Sequence, residues 1–385
     1  MKLLHVIPTC DPASGGPIEG VKQFYKEFKK SGITPEILCS DDPKKQFNKH
    51  KDLPKIHALG PSKFSYYYNP ALKNWLYKNI DNYDCVIIHG VWQYHNYAVW
   101  SVAKKKKIPY YIFYHGMLDP WFKKKYPFKH LKKKLYWYLI QYKIIKEAKS
   151  VLFTTLEEKF LARKSFSPYK AKEKVVGYGI SGNPYPYNLK DNLFFKKYPK
   201  LKEKKIIFFL GRVHPKKGVD LLIDAFEKVY KKNSKFHLII AGPYEKKYYN
   251  FLNETFIKSS NKFKDSITWM GPIYNKLKWD TLNSCYFFCL PSHQENFGIS
   301  VAEALASKKP VLITNKVNIY RDIKKYKSGF ISNDDYEGVI LSLKKIMNLK
   351  KNDYREMSHN AYQCYKDNFN SINTSKKLIN FIKRR

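Results

Sequence analysis

Two acidic residues in the second half of the chain have a spacing that suits a functional site. In the stretch PSHQENFGISVAEALASKKPVLIT (residues 291–314), Glu295 precedes an Asn-Phe-Gly turn and Glu303 follows eight residues later. The pattern predicts a short helix between two buried strands, with one carboxylate before its N-terminus and the other in its body. Exposure to solvent is the alternative for Glu303, but its neighbours in SVAEALAS are small and mostly apolar. Two glutamates alone are weak evidence, so their partners have to come from other parts of the chain.

Two cations in an earlier loop are candidate partners. In FFLGRVHPKKGVDLLIDAF (residues 208–226), a buried strand ends at Gly211, Arg212 and Lys217 follow, and Gly218 leads into an amphipathic helix. A guanidinium offers a fork of donors and an ammonium a point charge, and together they suit a diphosphate. The alternative is a solvated loop in a lysine-rich protein. Arg212 argues against it, because the chain has only six arginines and this one directly follows a strand.

Alternating strands and helices have to position these residues. We predict strands at 2–7, 35–39, 84–88, 109–114 and 150–154, then at 205–210, 236–241, 267–270, 285–290 and 310–314. We predict helices at 18–31 and 70–80, then near 218–232, 246–258, 275–283, 299–307 and 336–348. Continuous apolar strands that alternate with helices indicate an α/β protein with two doubly wound parallel sheets. Ligands of such sheets bind at the carboxyl ends of the strands, so we expect the two domains to face each other across a cleft.

The domain boundaries follow from a break in the pattern. Residues 179–192, GISGNPYPYNLKDN, are rich in Gly, Pro and Asn, and a chain of 385 residues suits two domains. We predict an N-terminal doubly wound domain at 1–182, a linker at 183–204 and a C-terminal doubly wound domain at 205–365. The last residues, 366–385, are predicted to form a helix that packs back on the N-terminal domain.

The composition excludes some classes of partner. The net charge of +40 raises the possibility of nucleic acid, but readers of phosphates and bases favour arginine, whereas lysine dominates here. We therefore predict no nucleic-acid partner, and an anionic membrane surface or a phosphorylated substrate explains the charge better. The six cysteines are scattered without a C-x-x-C pair, which indicates reduced thiols in a cytoplasmic protein and no metal site. No run approaches the ~18 apolar residues that span a bilayer, and the N-terminal apolar run is too short for a signal peptide.

The motifs at 208–226 and 291–314, together with HLIIAGPY (residues 237–244) between them, resemble the nucleotide-binding half of glycosyltransferase family 4. That family is retaining and metal-independent, and it has the GT-B fold of two Rossmann-like domains around a cleft. The resemblance implies that Glu295 reaches the donor sugar and the reaction centre, and that Glu303 accepts hydrogen bonds from the ribose. It also implies that Arg212 and Lys217 stabilise the leaving diphosphate. The start of the helix would direct its amides at the donor, which adds Asn296, Phe297, Gly298 and Ile299 to the candidate site.

Further matches lie elsewhere in the chain. In PASGGPIEGVKQF (residues 12–24), Gly15 and Gly16 match a family loop that lies against the donor phosphates and the acceptor, although an ordinary turn is the alternative. IIHGVWQYHNYAVW and FYHGMLDPWFKKKYPFKHLKKKLYWYL resemble a bacterial branch that is active in surface-polysaccharide assembly. His115 stands where the family has a catalytic histidine near the donor sugar, whereas His89 can be explained as a packed strand-end residue. Ile273 is predicted to lie along the base. TNKVNIYRDI (residues 314–323) departs from the family's glycine-rich pattern.

A basic segment at 121–149 leaves two interpretations open. Pro127 is predicted to start its main helix, after which Leu131, Leu135, Tyr138 and Leu139 fall on one face. Such a helix can lie on an anionic bilayer, or its apolar face can pack on the domain.

The sequence thus predicts a retaining hexosyltransferase that uses a nucleotide diphosphate sugar and needs no metal or other cofactor. Its acceptor would be a saccharide or a lipid-linked glycan in cell-surface polysaccharide or lipopolysaccharide biosynthesis. Its predicted location is the cytoplasm, with peripheral contact at the inner face of the membrane. A GT-B sugar-nucleotide epimerase and a non-catalytic basic scaffold on nucleic acid or membrane are the alternatives.

Overall fold

The computed structural model describes residues 1–11, 16–45, 53–185, 187–230, 235–257 and 264–384. They form two compact units. Unit 1 consists of Met1–Gly179 and Ser371–Arg385, and unit 2 consists of Ile180–Asn370. Within the range 183–204, where we predicted a linker, a short helix belongs to unit 2 and buries Phe194.

Unit 1 is built on a seven-stranded sheet in which every adjacent pair of strands is parallel. Its strands are β1 (Lys2–Val6), β2 (Thr34–Cys39), β3 (Lys55–Ala58), β4 (Cys85–His89), β5 (Tyr110–Phe113), β6 (Ser150–Phe153) and β7 (Glu173–Val175), in the order β3-β2-β1-β4-β5-β6-β7. Its first helices are α1 (Gly16–Lys30), α2 (Pro70–Asn79), α3 (Tyr94–Lys106), α4 (Trp121–Lys125), α5 (Pro127–Tyr136), α6 (Tyr142–Glu147) and α7 (Leu156–Ala162).

Unit 2 repeats this plan with six parallel strands. They are β8 (Lys205–Leu210), β9 (Phe236–Ala241), β10 (Ile267–Gly271), β11 (Phe287–Leu290), β12 (Val311–Thr314) and β13 (Gly329–Ser332), in the order β10-β9-β8-β11-β12-β13. The helices are α8 (Leu193–Lys197), α9 (Val219–Val229), α10 (Lys246–Leu252), α11 (Asn275–Ser284), α12 (Ile299–Ala306), α13 (Tyr320–Tyr326), α14 (Tyr336–Met347) and α15 (Lys351–Cys364). The last helix, α16 (Ser371–Lys383), belongs to unit 1 and packs against α1.

Helices cover both faces of the unit 1 sheet, which explains why its central strands are apolar along their whole length. Successive side chains of a strand point to opposite faces. Leu4 and Val6 accordingly join one hydrophobic cluster with α2 and α3, whereas Leu3 joins another with α1 and α16. The predicted class of two Rossmann-like parallel sheets is confirmed.

The ten predicted strands all occur, with ends within two residues of the predicted ones. Three further strands, β3, β7 and β13, were missed because their sequences KIHA, EKV and GFIS are short and have no clear alternation. In each sheet the direction of strand addition reverses between its first and fourth strands, β1 and β4 in unit 1 and β8 and β11 in unit 2. Ligands of doubly wound sheets bind at this point. No helix in the described part of the chain is both long and apolar enough to cross a membrane.

Candidate functional site

Three of the predicted site residues of unit 2 lie on loops that follow β8 and β11, which are neighbours in the sheet. Arg212 follows β8 by two residues, and Glu295 follows β11 by five. The Nζ atom of Lys217 forms an ion pair with Oε2 of Glu295, and the two side chains are 18% and 19% exposed. The structure therefore brings a predicted diphosphate ligand and a predicted catalytic carboxylate into direct contact at the reversal point of the sheet.

The loop that carries Lys217 has a local conformation set by its own residues. The Lys216 amide donates a hydrogen bond to Nδ1 of His214 at 3.1 Å, which starts a single turn at Pro215–Lys217. Gly218 then adopts a φ of +64°, and a Cβ atom there would lie 2.0 Å from the carbonyl oxygen of Pro291. Because only glycine fits this position without displacing the β11 loop, it allows the close approach that joins Lys217 to Glu295.

The electrostatics of this loop favour an anionic ligand. Burial, and then the positive charges of Lys216 and Arg212, lower the pKa of Lys217 to about 7. The carboxylate of Glu295 opposes this shift, because it favours the charged ammonium. Arg212 is exposed and has no carboxylate partner among the residues that the structure describes. Of the two predicted diphosphate ligands, Lys217 is thus compensated by a carboxylate and Arg212 is not.

The backbone of Glu295 is held by the segment that departs from the family pattern. The Glu295 amide donates to the carbonyl of Lys316 at 3.0 Å, and the Asn318 amide donates to the carbonyl of Glu295 at the same distance. The side-chain amide of Asn318 also donates to Oδ1 of Asn296 at 3.2 Å. Sequence reasoning missed Asn318, since its role depends on a bridge between two loops rather than on any motif.

The helix that carries Glu303 begins where the sequence predicted. Gly298 has a φ of +76° and immediately precedes α12, and the buried ring of Phe297 packs edge-on against Phe369 with centroids 5.5 Å apart. Ile299 is the first residue of α12. Glu303 is only 12% exposed and accepts a hydrogen bond of 2.5 Å from Nζ of Lys278 on α11. The alternative that Glu303 faces solvent is therefore wrong.

Lys278 was missed because nothing in its spacing distinguishes it from the other lysines of this lysine-rich chain. Its ammonium also lies 4.8 Å from the centre of the Trp279 ring. Ile273, the residue predicted to lie along the base, follows β10 by two residues and is buried.

In unit 1, three histidines form a chain across neighbouring strands. His5 is on β1, His89 ends β4, and His115 follows β5 by two residues with a φ of +51°. Nδ1 of His5 lies 2.9 Å from Nε2 of His89, and Nδ1 of His89 lies 2.9 Å from Nε2 of His115. Sequence reasoning singled out His115 and ranked His89 lower, but it missed His5, because a histidine inside a buried strand gives no signal of its partners.

The two glycines predicted near the donor phosphates have different outcomes. Gly16 begins α1, and its carbonyl accepts a hydrogen bond of 2.8 Å from the Tyr178 hydroxyl. Gly15 lies outside the described residues.

The basic segment has an exposed apolar face. Phe128, Leu131, Leu135 and Leu139 are 85%, 67%, 65% and 61% exposed, and α5 contains no buried residue. The interpretation that this face packs on the domain is therefore wrong. Solvent exposure of four large apolar side chains on one helical stretch is typical of an interaction surface.

One group of potential metal ligands occurs among the described residues. The ligand atoms of Cys10, Cys39 and Asp41 lie within 4.8 Å of one another. Asp41 already accepts hydrogen bonds of 2.6 Å from the Thr9 hydroxyl and the Cys10 amide. A hydrogen bond with Cys10, followed by burial, raises the pKa of the Cys39 thiol, so metal binding there would have to deprotonate a disfavoured thiolate.

Comparison with known proteins finds two family models on this chain. A model described as "Glycosyltransferase Family 4" matches residues 14–176, and one described as "Glycosyl transferases group 1" matches residues 190–364. The first therefore falls within unit 1 and the second within unit 2.

Individual relatives carry names consistent with these models. A "Probable sucrose-phosphate synthase" of Thermosipho melanesiensis is 24% identical over 56% of this chain and 48% of its own length. The "Capsular polysaccharide biosynthesis glycosyltransferase CapM" of Staphylococcus aureus is 25% identical over 55% of this chain and 56% of its own length. The chain thus spans about half the length of these relatives. The crystal structure of HepE from Anabaena, in complex with UDP and glucose, superposes over 100% of both chains with a TM-score of 0.79 and 15% identity, which shows the shared fold.

Proposed function

The chain belongs to glycosyltransferase family 4, and on this premise we propose that it is a retaining hexosyltransferase that uses a nucleotide diphosphate sugar. The observation that carries the proposal is the contact of Lys217 with Glu295 at the reversal point of the unit 2 sheet. The UDP and glucose bound to HepE, a protein of the same fold, support a nucleotide-sugar donor. CapM supports an acceptor in surface-polysaccharide assembly.

In this proposal the donor diphosphate binds next to Arg212 and Lys217. Negative charge accumulates on the diphosphate as its bond to the sugar breaks, and two fixed cations stabilise it more than they stabilise the bound donor. These cations take the place of a metal ion at the leaving group. Glu303 accepts hydrogen bonds from the ribose, and the contact with Lys278 orients its carboxylate.

Glu295 acts as a binding and positioning carboxylate rather than as a covalent nucleophile. Its Oε2 atom is engaged by the Lys217 ammonium, and hydrogen bonds to Lys316 and Asn318 fix its backbone. A carboxylate held in this way can orient the hydroxyls of the donor sugar and stabilise positive charge at its anomeric carbon. Retention would then result from attack by the acceptor on the same face that the diphosphate leaves.

The acceptor in this proposal is carried by a lipid at an anionic membrane surface. The exposed apolar side chains of the basic segment suit insertion among acyl chains, and the lysines around them suit anionic headgroups. Beside this face lies a surface cavity of about 450 Å³, lined by Lys123, Lys134 and Lys164 and by no acidic side chain. In the part of the chain that the structure describes, none of these three lysines has a carboxylate partner.

A turnover screen tests the proposed function. The chain of 385 residues is incubated with nucleotide sugars that differ in base and sugar, with and without saccharide acceptors, and release of the nucleoside diphosphate is measured. The proposal expects release from at least one donor and a product with the anomeric configuration of that donor, determined by NMR. Inversion of the configuration would contradict the retaining mechanism, and conversion of the donor into its epimer would favour the epimerase alternative.

A further inference from the structure

The three histidines of unit 1 have a protonation pattern that the geometry restricts. Burial lowers the pKa of His5 and His115 to about 3, and burial followed by the neighbouring histidines lowers the pKa of His89 well below its usual value. All three rings are therefore neutral at pH 7. A neutral imidazole has one N–H donor and one bare nitrogen acceptor.

Two hydrogen bonds among three such rings allow only two arrangements. In the outward arrangement, His5 donates from Nδ1 to His89, and His89 donates from Nδ1 to Nε2 of His115, so His115 carries its proton on Nδ1. In the inward arrangement every bond is reversed, and His5 carries its proton on Nε2. A single proton position in any of the rings therefore determines the other two.

His5, at the inner end of the row of three histidines, distinguishes the two arrangements. Nε2 of His5 is buried and has no hydrogen-bond partner among the described residues. The inward arrangement would bury an N–H donor there, whereas the outward arrangement leaves a bare acceptor. Buried N–H groups without a partner are rarer in proteins than acceptors that lack one. The outward arrangement is therefore favoured.

His115, at the outer end of the row of three histidines, is partly accessible to solvent. His115 is half-buried, and its Nε2 is occupied by His89. In the outward arrangement its remaining nitrogen, Nδ1, carries a proton and has no partner among the described residues. The rings of His89 and Phe113 are nearly parallel to the imidazole and hold it in place, with centroids 5.2 and 4.9 Å away.

We infer that His89, hydrogen-bonded to His5 on its other side, is a positioning residue that fixes His115 as the Nδ1–H tautomer, so that His115 donates a hydrogen bond from Nδ1 to a hydroxyl oxygen of the donor sugar. The direction of donation follows from the geometry of unit 1 alone. The identity of the acceptor atom rests on the proposed function. A sugar analogue that lacks the hydroxyl would leave this N–H unpaired. The three hydrogen-bonded histidines, called the relay below, therefore also contribute to selection of the sugar.

The test is the tautomeric state of His115, measured on the whole 385-residue chain with ¹⁵N-labelled histidine by two-dimensional ¹⁵N–¹H NMR. The inference expects an Nδ1–H signal for His115 in the wild type. His5→Phe leaves Nε2 of His89 against an apolar ring, where a buried N–H would have no acceptor, so His89 still donates from Nδ1 and the inference expects His115 to keep its Nδ1–H form. His89→Phe keeps an aromatic ring against Phe113 and removes both hydrogen bonds, so the inference expects Nδ1–H and Nε2–H forms of His115 to coexist in this variant.

The matched control is His95→Phe. His95 is also buried, and its Nε2 donates to the carbonyl of His89 at 2.9 Å, outside the relay. In this variant the His115 tautomer should not change. An Nε2–H signal for His115 in the wild type, or an unchanged Nδ1–H signal in His89→Phe, overturns the inference. The wild-type spectrum decides the direction of the relay even if a variant fails to fold.

Kinetics then separate positioning from mere stability. In folded His89→Phe, kcat should fall on the order of tenfold to a hundredfold, the scale seen when the partner that orients a functional histidine is removed. The KM for the saccharide acceptor should stay the same. A change only in thermal stability, with kcat retained, would make His89 a structural residue. If no nucleotide sugar is turned over at all, the proposed function fails, while the NMR result still stands.

Discussion

The Lys217 ammonium contacts the Glu295 carboxylate across 78 residues of sequence, because β8 and β11 lie side by side and Gly218 lets their loops touch. This pair keeps Lys217 at the site in the absence of ligand. In the proposed function, a diphosphate bound next to Arg212 also interacts with the Lys217 ammonium. The pair thus links the predicted leaving-group site to the predicted sugar site.

Replacement of Arg212 by alanine tests the diphosphate site. The variant should lose about 2–4 kcal/mol of transition-state stabilisation in kcat/KM, the scale of one lost electrostatic stabiliser. Arg355→Ala, which removes an exposed arginine of α15 in the same unit, is the matched control and should behave like the wild type. Equal kinetics in the two variants would refute the assignment of Arg212.

The pH dependence of nucleotide binding tests Lys217. Its lowered pKa, about 7, means that the ammonium loses its proton as the pH rises through this region. Affinity for a nucleoside diphosphate should therefore fall as the pH rises above about 7, measured by isothermal titration calorimetry. Lys217→Arg should flatten this dependence, since a guanidinium stays charged throughout the range. A wild-type affinity that does not vary between pH 6 and 9 would contradict the prediction.

Replacement of Glu303 by glutamine tests the ribose contact. Loss of a hydrogen bond to a charged group should weaken donor binding by about 1.5–3 kcal/mol. The control is a donor analogue without the ribose hydroxyls, which should bind the wild type and the variant equally. If the variant weakens both donors alike, Glu303 acts through its pair with Lys278 rather than through the ribose.

Removal of divalent cations tests the proposed role of Arg212 and Lys217 at the leaving group. Two cationic side chains that stabilise the diphosphate make a metal ion unnecessary, so turnover should continue in excess EDTA. Loss of turnover that Mg²⁺ or Mn²⁺ restores would show that these two charges are insufficient.

Vesicle co-sedimentation tests the membrane surface. Substitution of Lys123, Lys125, Lys132 and Lys134 by glutamine should weaken binding to anionic vesicles, since each lysine near the surface contributes about 1 kcal/mol. Leu131→Ser with Leu135→Ser should weaken the part of the binding that survives high salt, because that part comes from apolar insertion.

The control for both sets is Lys344→Gln with Lys345→Gln in α14 of unit 2, which removes charge from outside the basic segment. It should bind as the wild type does. Equal wild-type binding to neutral and anionic vesicles would mean that the lysines of the basic segment are only solvated.

The sequence by itself determined the parts that depend on local pattern. Continuous apolar runs predicted the ten longer or more apolar strands, since a strand covered on both faces must be apolar throughout. Arg212, Lys217 and Glu295 were found because they follow strand ends within recognisable motifs, and Glu303 because it belongs to the same motif as Glu295. The short strands β3 and β7 were not found, because their pairing partners rather than their composition make them strands.

Only the tertiary structure decided what depends on contacts between distant residues. Lys278 on α11 is the partner of Glu303 on α12 because the fold brings these two side chains together. His5 is the inner end of the relay to His115 because β1, β4 and β5 are neighbours in the sheet. No local sequence pattern indicates either contact. The structure likewise decided that the apolar face of the basic segment is exposed. An amphipathic helix has the same sequence period whether its apolar face meets the domain core or another surface, so burial could be decided only by the fold around it.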